Sequence, residues 1–362
     1  MKLKKPSLVS LITVPFLLFF SAQPLHAEKW NLKVADELLI PAYKDLSRSA
    51  TELSAKTLRF CGAPSDDGMI HVKTAYKQAF LNWEKIQYIR FGPIQTLMRD
   101  FRIQMWPDKK GKVGKHLNKL LADDDYKAKL APDKFALGSV AVQGLSAFER
   151  LIYGYKLAGD VPQNKRQCDV MQSIANNIEA ISTGLLDEWV GEDDPYRQYL
   201  IPPPEGNLYF ESDQEISSKL LNSFYTELLV IGTQKLSLPL GEGKAGQKKT
   251  KPNPKRAEAW RSQLSLAAIQ TNVESLFSLY KIGFEPRVKE DSLNEAMYQA
   301  FESLLGMIKQ TDQSIFSKVK DASASEHLLE MRMKVTGLRG LVSNRLSKAL
   351  NIPLAFNGLD GD

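Results

Sequence analysis

Ser146 and Glu149 are the side chains whose types and spacing most invite chemistry in this sequence. They lie three residues apart in the apolar stretch 136–154, so a helix there puts both on one face. Gly144, two residues before Ser146, lets another backbone come close. A buried carboxylate in such a setting needs a partner, which can be a ligand or an internal cation. Arg90, Arg150 and Arg261 are the candidate internal partners of Glu149. Serine hydrolysis would require a base beside Ser146 and free backbone N–H donors. A mid-helix serine has neither. Its structural reading is a small residue at a helix crossing, with its hydroxyl bonded back to the preceding turn. Zinc hydrolysis needs about three protein ligands and a general base. Beyond residue 27 the chain has His71, His116 and His327, none of them in a His-Glu-x-x-His pattern. Each reads as a surface or capping residue.

The elements that must position these groups are helical. Apolar residues recur at spacings of three and four, and alternating strand patterns are nearly absent. Helices are expected over 34–58, over 69–88 with a kinked continuation past Gly92-Pro93 to Met105, over 136–154 and over 167–190. In the last of these, Val170, Ile174, Ile178, Ile181 and Leu185 mark the buried stripe. The texture then changes to Gly191-Glu192-Asp193-Asp194-Pro195 and Pro202-Pro203-Pro204, which no helix can cross. Further helices are expected over 213–235, 257–281, 292–319 and 326–350. Four helices on each side of a proline-rich break predict an all-α fold of two four-helix bundles. The expected divisions are a leader over 1–27, a first bundle over 28–195, a linker over 196–212 and a second bundle over 213–362.

Residues 1–27 have the features of a cleavable export signal: Lys2, Lys4 and Lys5, an apolar run from Leu8 to Ala22, and Leu25-His26-Ala27 at the cleavage site. Pro15 breaks the apolar run, which is short for a membrane span. Without the three signal lysines the formal charge of +6 falls to about +3, close to neutral for the chain length. With no aromatic-interleaved basic groove, this argues against nucleic acid as a partner. Cys61 and Cys168 are the two cysteines, and in an exported chain they are expected to form a disulfide. It would close a loop of roughly 100 residues and stabilise by about 2–5 kcal/mol. Lys244, Lys248, Lys249, Lys251, Lys255 and Arg256 cluster in a Gly/Pro-rich stretch, read as a solvated loop or as a peripheral contact with an acidic membrane surface. Asp360 and Asp362 at the terminus make a weak cation site. Trp83 and Trp260, each with arginines after it, are core tryptophans or the lining of a cleft for an anionic or haem-like ligand.

Gly144-Leu145-Ser146-Ala147-Phe148-Glu149 resembles the Gly-x-His-x-x-Glu motif of the imelysin family of exported bacterial proteins. Trp83 with Ile89-Arg90-Phe91-Gly92-Pro93, the segment Ala259-Trp260-Arg261-Ser262-Gln263-Leu264-Ser265-Leu266 with Asn272 and Leu276, and the tail 354–362 are similar to further family segments in the same order. The resemblance implies two helical bundles with a cleft between them, a periplasmic or envelope location in a Gram-negative bacterium, and a link to iron acquisition. It also implies a nominal peptidase activity, which the residues here do not support. Ser146 stands where the motif has histidine, and a serine hydroxyl is a poor transition-metal ligand, so only Glu149 remains of the pair. The expectation is a monomeric binding or adaptor protein working with envelope iron-uptake proteins, with iron or another divalent metal as the ligand to test. The ligand-binding candidates are Gly144, Ser146, Glu149, Arg90, Arg261, Trp83 and Trp260. The alternatives are a metal-dependent peptidase and a purely structural interaction module.

Overall fold

Each apolar stripe read from the sequence is buried against another helix. Val170, Ile174, Ile178 and Leu185 are fully buried, and so are Leu328, Met331, Val335, Leu338 and Val342. The computed structural model describes residues 29–154, 165–201, 207–242 and 249–354. Outside them lie the export signal over 1–27, the prolines at 202–204, Lys244 and Lys248, and the tail with Asp360 and Asp362. The described residues are all-α, with no strand among them, as the spacing predicts. No described helix is long and apolar enough to cross a membrane.

In the first half, α1 (Trp30–Val34) continues through a π turn, Ala35–Leu39, into α2 (Ile40–Gly62). Then come α3 (Asp66–Glu84), α4 (Arg99–Ile103), α5 (Lys112–Leu121), the short α6 (Tyr126–Lys129) and α7 (Pro132–Ala136), α8 (Leu145–Gly154) and α9 (Lys165–Val190). Helices α2, α3, α8 and α9 pack side by side. The Cys61–Cys168 disulfide is present and joins α2 to α9, with Cα atoms 5.6 Å apart. In the second half, α10 (Asp213–Val230) passes through a π turn, Ile231–Leu236, into α11 (Ser237–Leu240). It is followed by α12 (Ser265–Leu279), α13 (Asp291–Lys309) and α14 (Ala322–Leu341). Helix α14 packs on α10 and α13, and α12 packs on α13 and also on α3 of the first half. The apolar core is continuous across both halves.

Helix starts follow capping chemistry. Ser65 accepts from Gly68 N ahead of Asp66 and Asp67, and Ser212 accepts from Glu215 N while Glu215 reaches back to Glu211 N. Three boundaries differ from the expected ones, and all three bear on the site. The segment 92–98 is a kinked 3-10 run with Leu97 and Met98 both at φ 55°, not a smooth continuation of α3. The stretch 136–154 is helical only from Leu145, so Gly144 precedes α8 and Ser146 lies in its first turn. Residues 257–264 are a turn-rich loop with Ala259 and Gln263 at positive φ, and α12 starts at Ser265.

Candidate functional site

The 144–149 motif holds two backbone segments in place. A Cβ on Gly144 would lie 2.2 Å from Ile103 O and 2.4 Å from Arg102 O, so only glycine admits that crossing. Ser146 Oγ donates to Met105 O at 3.1 Å, across to another segment and not back along its own turn. The serine bonds outward because it sits at the start of α8, where the extended 104–106 strand passes with an unpaired carbonyl. Glu149 is buried, and its Oε1 accepts from Ser262 N at 2.9 Å and Ser262 Oγ at 2.7 Å. Arg261 stands 3.8 Å from Glu149 Oε2 and 4.3 Å from the Trp260 ring centroid. The 257–264 loop has backbone N–H groups outside any helix, and Glu149 satisfies one of them. Burial pushes the Glu149 carboxyl up, against the two Ser262 hydrogen bonds and the Arg261 charge.

These contacts fix the walls of a cavity of about 760 Å³ between the two halves of the chain. The segment 99–106 forms one side. It is pinned by Arg99 to Glu188 at 2.8 Å and by Arg102 to Gln143 at 2.7 Å and to Asn177 at 3.1 Å. Ser223, Thr226 and Val230 of α10 face it, with Gln234 of the π turn. Trp83, Phe91, Phe101 and Trp106 supply aromatic wall, and Glu258 reaches the cavity from the 257–264 loop. Of the seven candidates from the sequence, Trp83 and Arg90 line this cavity. Gly144, Ser146, Glu149, Trp260 and Arg261 do not; they sit behind it, bracing the segments that form its walls.

The cavity floor rests on a buried ionic cluster. Lys235 is 1% exposed, and its Nζ lies 2.6 Å from Glu84 Oε2 and 2.6 Å from Glu258 Oε2. Gln104 Nε2 donates to Glu258 Oε1 at 2.9 Å, and Asn272 Nδ2 donates to Glu84 O at 2.8 Å and Oε2 at 3.0 Å. Gln87 also donates to Glu84. The fully buried Glu227 faces Arg90 at 3.4 Å. The π turn delivers the lysine: an extra residue in the helical turn re-aims the side chains that follow, and Lys235 leaves α10 pointing inward. Burial disfavours its charge, but Glu258, Glu84 and Glu227 outweigh that and hold it protonated above the ordinary lysine value. Burial and the neighbouring Glu258 charge push Glu84 up to about 8 despite Lys235. Burial likewise raises Glu258, with Lys235 opposing. Near neutral pH Glu84 therefore keeps its proton, and two carboxylates face two cations.

Among the described residues, no three His, Cys, Asp or Glu side chains gather in a metal-holding arrangement. His71 pairs with Asp67 at 3.3 Å, His116 with Ser139 at 2.6 Å and His327 with Thr311 at 2.6 Å, on three separate elements. Glu149 is engaged by Ser262 and Arg261. This donor set does not fit a catalytic zinc, which needs about three converging ligands and an open position.

The family model described as Imelysin matches residues 39–341. This chain belongs to the imelysin family. Its solved structural relatives include an imelysin-like protein of Psychrobacter arcticum 273-4, with a TM-score of 0.66 at 19% identity over 91% of this chain and 98% of that one. An iron-regulated protein A precursor of Parabacteroides distasonis ATCC 8503 has a TM-score of 0.70 at 16% identity, covering 88% and 94% of the two chains. At such identities the likeness shows the fold alone. Iron-regulated protein A of Synechococcus elongatus is 20% identical over 267 residues, which are 73% of this chain and 67% of that protein. In this imelysin-family chain the buried cluster escaped sequence reasoning because its members stand at positions 84, 104, 227, 235 and 258, with no motif spacing. A signal did exist. Glu84 follows Trp83, Glu258 precedes Trp260 by two, and Lys235 is a lone charge in the apolar run 228–240.

Proposed function

We propose that this protein is a binding component of iron acquisition in the bacterial cell envelope, and that it cleaves no peptide bond. The observation that carries the reading is the cavity of about 760 Å³, within the usual range for small-ligand sites, with aromatic walls and a buried ionic floor. Two curated names among its relatives, iron-regulated protein A and its precursor, support the link to iron. A periplasmic location is supported by the signal-like residues 1–27 and by a relative named as a precursor. Against peptidase action stands the state of Glu149. Its carboxylate is engaged by the 259–262 loop and does not reach the cavity, so it is badly placed to activate a water on a bound peptide.

The test pairs two measurements on the mature chain. Casein and insulin B chain, incubated with the protein and followed by mass spectrometry, should remain intact, whereas a panel of iron compounds should include at least one that raises the melting temperature. Cleavage that disappears both with a chelator and in Glu149→Ala would overturn the non-proteolytic reading. A melting temperature unmoved by every iron compound would overturn the ligand-binding one.

A further inference from the structure

We infer that the cavity takes iron as an anionic organic chelate and not as a free ion. This rests on the ligand-binding reading above and narrows it to a chemical class. The first argument is the floor. A free cation seeks converging carboxylates, and the point between Glu84 and Glu258 is already held by Lys235 Nζ, 2.6 Å from each. Arg90 faces the third carboxylate, Glu227, at 3.4 Å. An incoming ion would have to displace a buried ammonium, leaving it uncompensated in a low-dielectric site.

The second argument is the mouth. Lys109, Lys110, Lys112 and Lys219 are exposed along the cavity, and none forms an ion pair among the described residues. The acids nearby are Asp100 and Asp108. Asp108 is committed to the start of α5, where it accepts from Lys112 N at 2.7 Å and Val113 N at 3.0 Å. The opening is therefore cationic, and such a field draws in and holds anions.

The third argument is the wall. Trp83, Phe91, Phe101 and Trp106 offer flat apolar surface that a bare or hydrated ion cannot use. The buried Trp83 Nε1 has no hydrogen-bond partner, so it is a donor available to an acceptor oxygen. An organic chelate with an apolar or aromatic body, ligating oxygens and net negative charge matches mouth, wall and donor together.

The experiment is calorimetric titration of the mature protein with five probes: iron(III) tris(catecholate), iron(III) citrate, a charge-neutral iron(III) trihydroxamate, zinc(II), and iron(II) under anaerobic conditions. An anionic chelate should bind, and raising the salt from 50 to about 500 mM should weaken it severalfold, as screening requires. The triple variant Lys109→Gln/Lys110→Gln/Lys112→Gln, folded by circular dichroism, should lose about tenfold in affinity, and Trp83→Phe should lose a smaller factor. Tighter binding of iron(II) or zinc(II) than of both anionic chelates would overturn the inference and leave the ligand-binding reading standing. Equal binding of the neutral and anionic chelates, unchanged in the triple variant, would do the same. Five flat titrations would sink both.

Discussion

The Glu149 cluster and the Lys235 cluster are both buried, and both centre on glutamates whose carboxyls burial pushes up. They differ in what is left over. Glu149 has each oxygen matched, one by Ser262 and the other by Arg261. Around Lys235, Glu84 Oε1 and Glu227 Oε1 have no hydrogen-bond partner, and Glu258 borders the cavity. A satisfied polar network fixes geometry, whereas buried groups left unmatched beside a cavity carry a cost that stability alone does not explain. The comparison assigns architecture to the motif helix and function to the floor. The residues most visible in the sequence hold the site together, and less visible ones form it.

The largest expected effect tests the floor. Lys235→Met removes the ammonium between Glu84 and Glu258 and leaves a buried carboxylate uncompensated. Breaking such a pair costs about 3–5 kcal/mol, read as a lower urea midpoint at pH 8. The deficit should shrink at pH 5, because Glu258 can then take up the proton that replaces the lost cation. A loss below about 1 kcal/mol at pH 8 would mean that the cluster is hydrated and behaves like a surface pair, and the contrast with Glu149 would fail.

Next in size is a test of the architecture. Gly144→Ala drives a Cβ to within 2.2 Å of Ile103 O, which is backbone and cannot swing aside. Overpacking of this kind costs about 1–3 kcal/mol and sometimes more. The 103–106 segment must shift with it, so Trp106 fluorescence should move as well. Gly184→Ala, in the middle of α9 with nothing within 4 Å of its added Cβ, is the matched control. It should be neutral or stabilise by up to about 1 kcal/mol, the helix preference for alanine. If the two glycine variants had the same stability, Gly144 would not be the close-approach residue described above.

The two clusters also mark how far the sequence could be read. Helix stripes such as 170–185 and 328–342 were legible because burial of a helix face imposes a period of 3.6 on apolar residues. The disulfide was legible because two cysteines in an exported chain leave one pairing. Gly144 and Glu149 were legible as a motif, and Trp83 and Arg90 as candidates, because each belongs to a short contiguous segment. Lys235 was not, since its inward direction depends on a π turn that re-aims it, and no periodicity announces that insertion. The loop 257–264 was taken for helix because its apolar residues fit the helical period, while its positive φ at Ala259 and Gln263 leaves no mark in residue type. Both misreadings concern irregular backbone, and irregular backbone is what brings Lys235 and Glu258 together.

The smallest expected effect is the most specific to the floor. Glu84 has an ordinary value of 4.5 and a folded-state value of about 8, so between those limits the folded chain binds more protons than the unfolded one. Stability carried by that proton is fully present below about pH 4.5 and is lost as pH rises through 8, at up to about 1.4 kcal/mol per unit for a single group. Glu84→Gln removes the titration while placing an amide NH2 where the carboxyl proton resides, and its oxygen can still accept from Lys235, Asn272 and Gln87. The variant should match the parent protein within about 1 kcal/mol near pH 5 and become the more stable of the two above pH 8. Glu149 and Glu258 are raised in both proteins and contribute falling stability of the same sign, so the measured quantity is the difference between the two pH profiles from urea unfolding. Parallel profiles from pH 5 to 9 would show that Glu84 is ionised throughout. The three carboxylates would then outnumber Lys235 and Arg90, and the floor would be a net negative site open to a free cation.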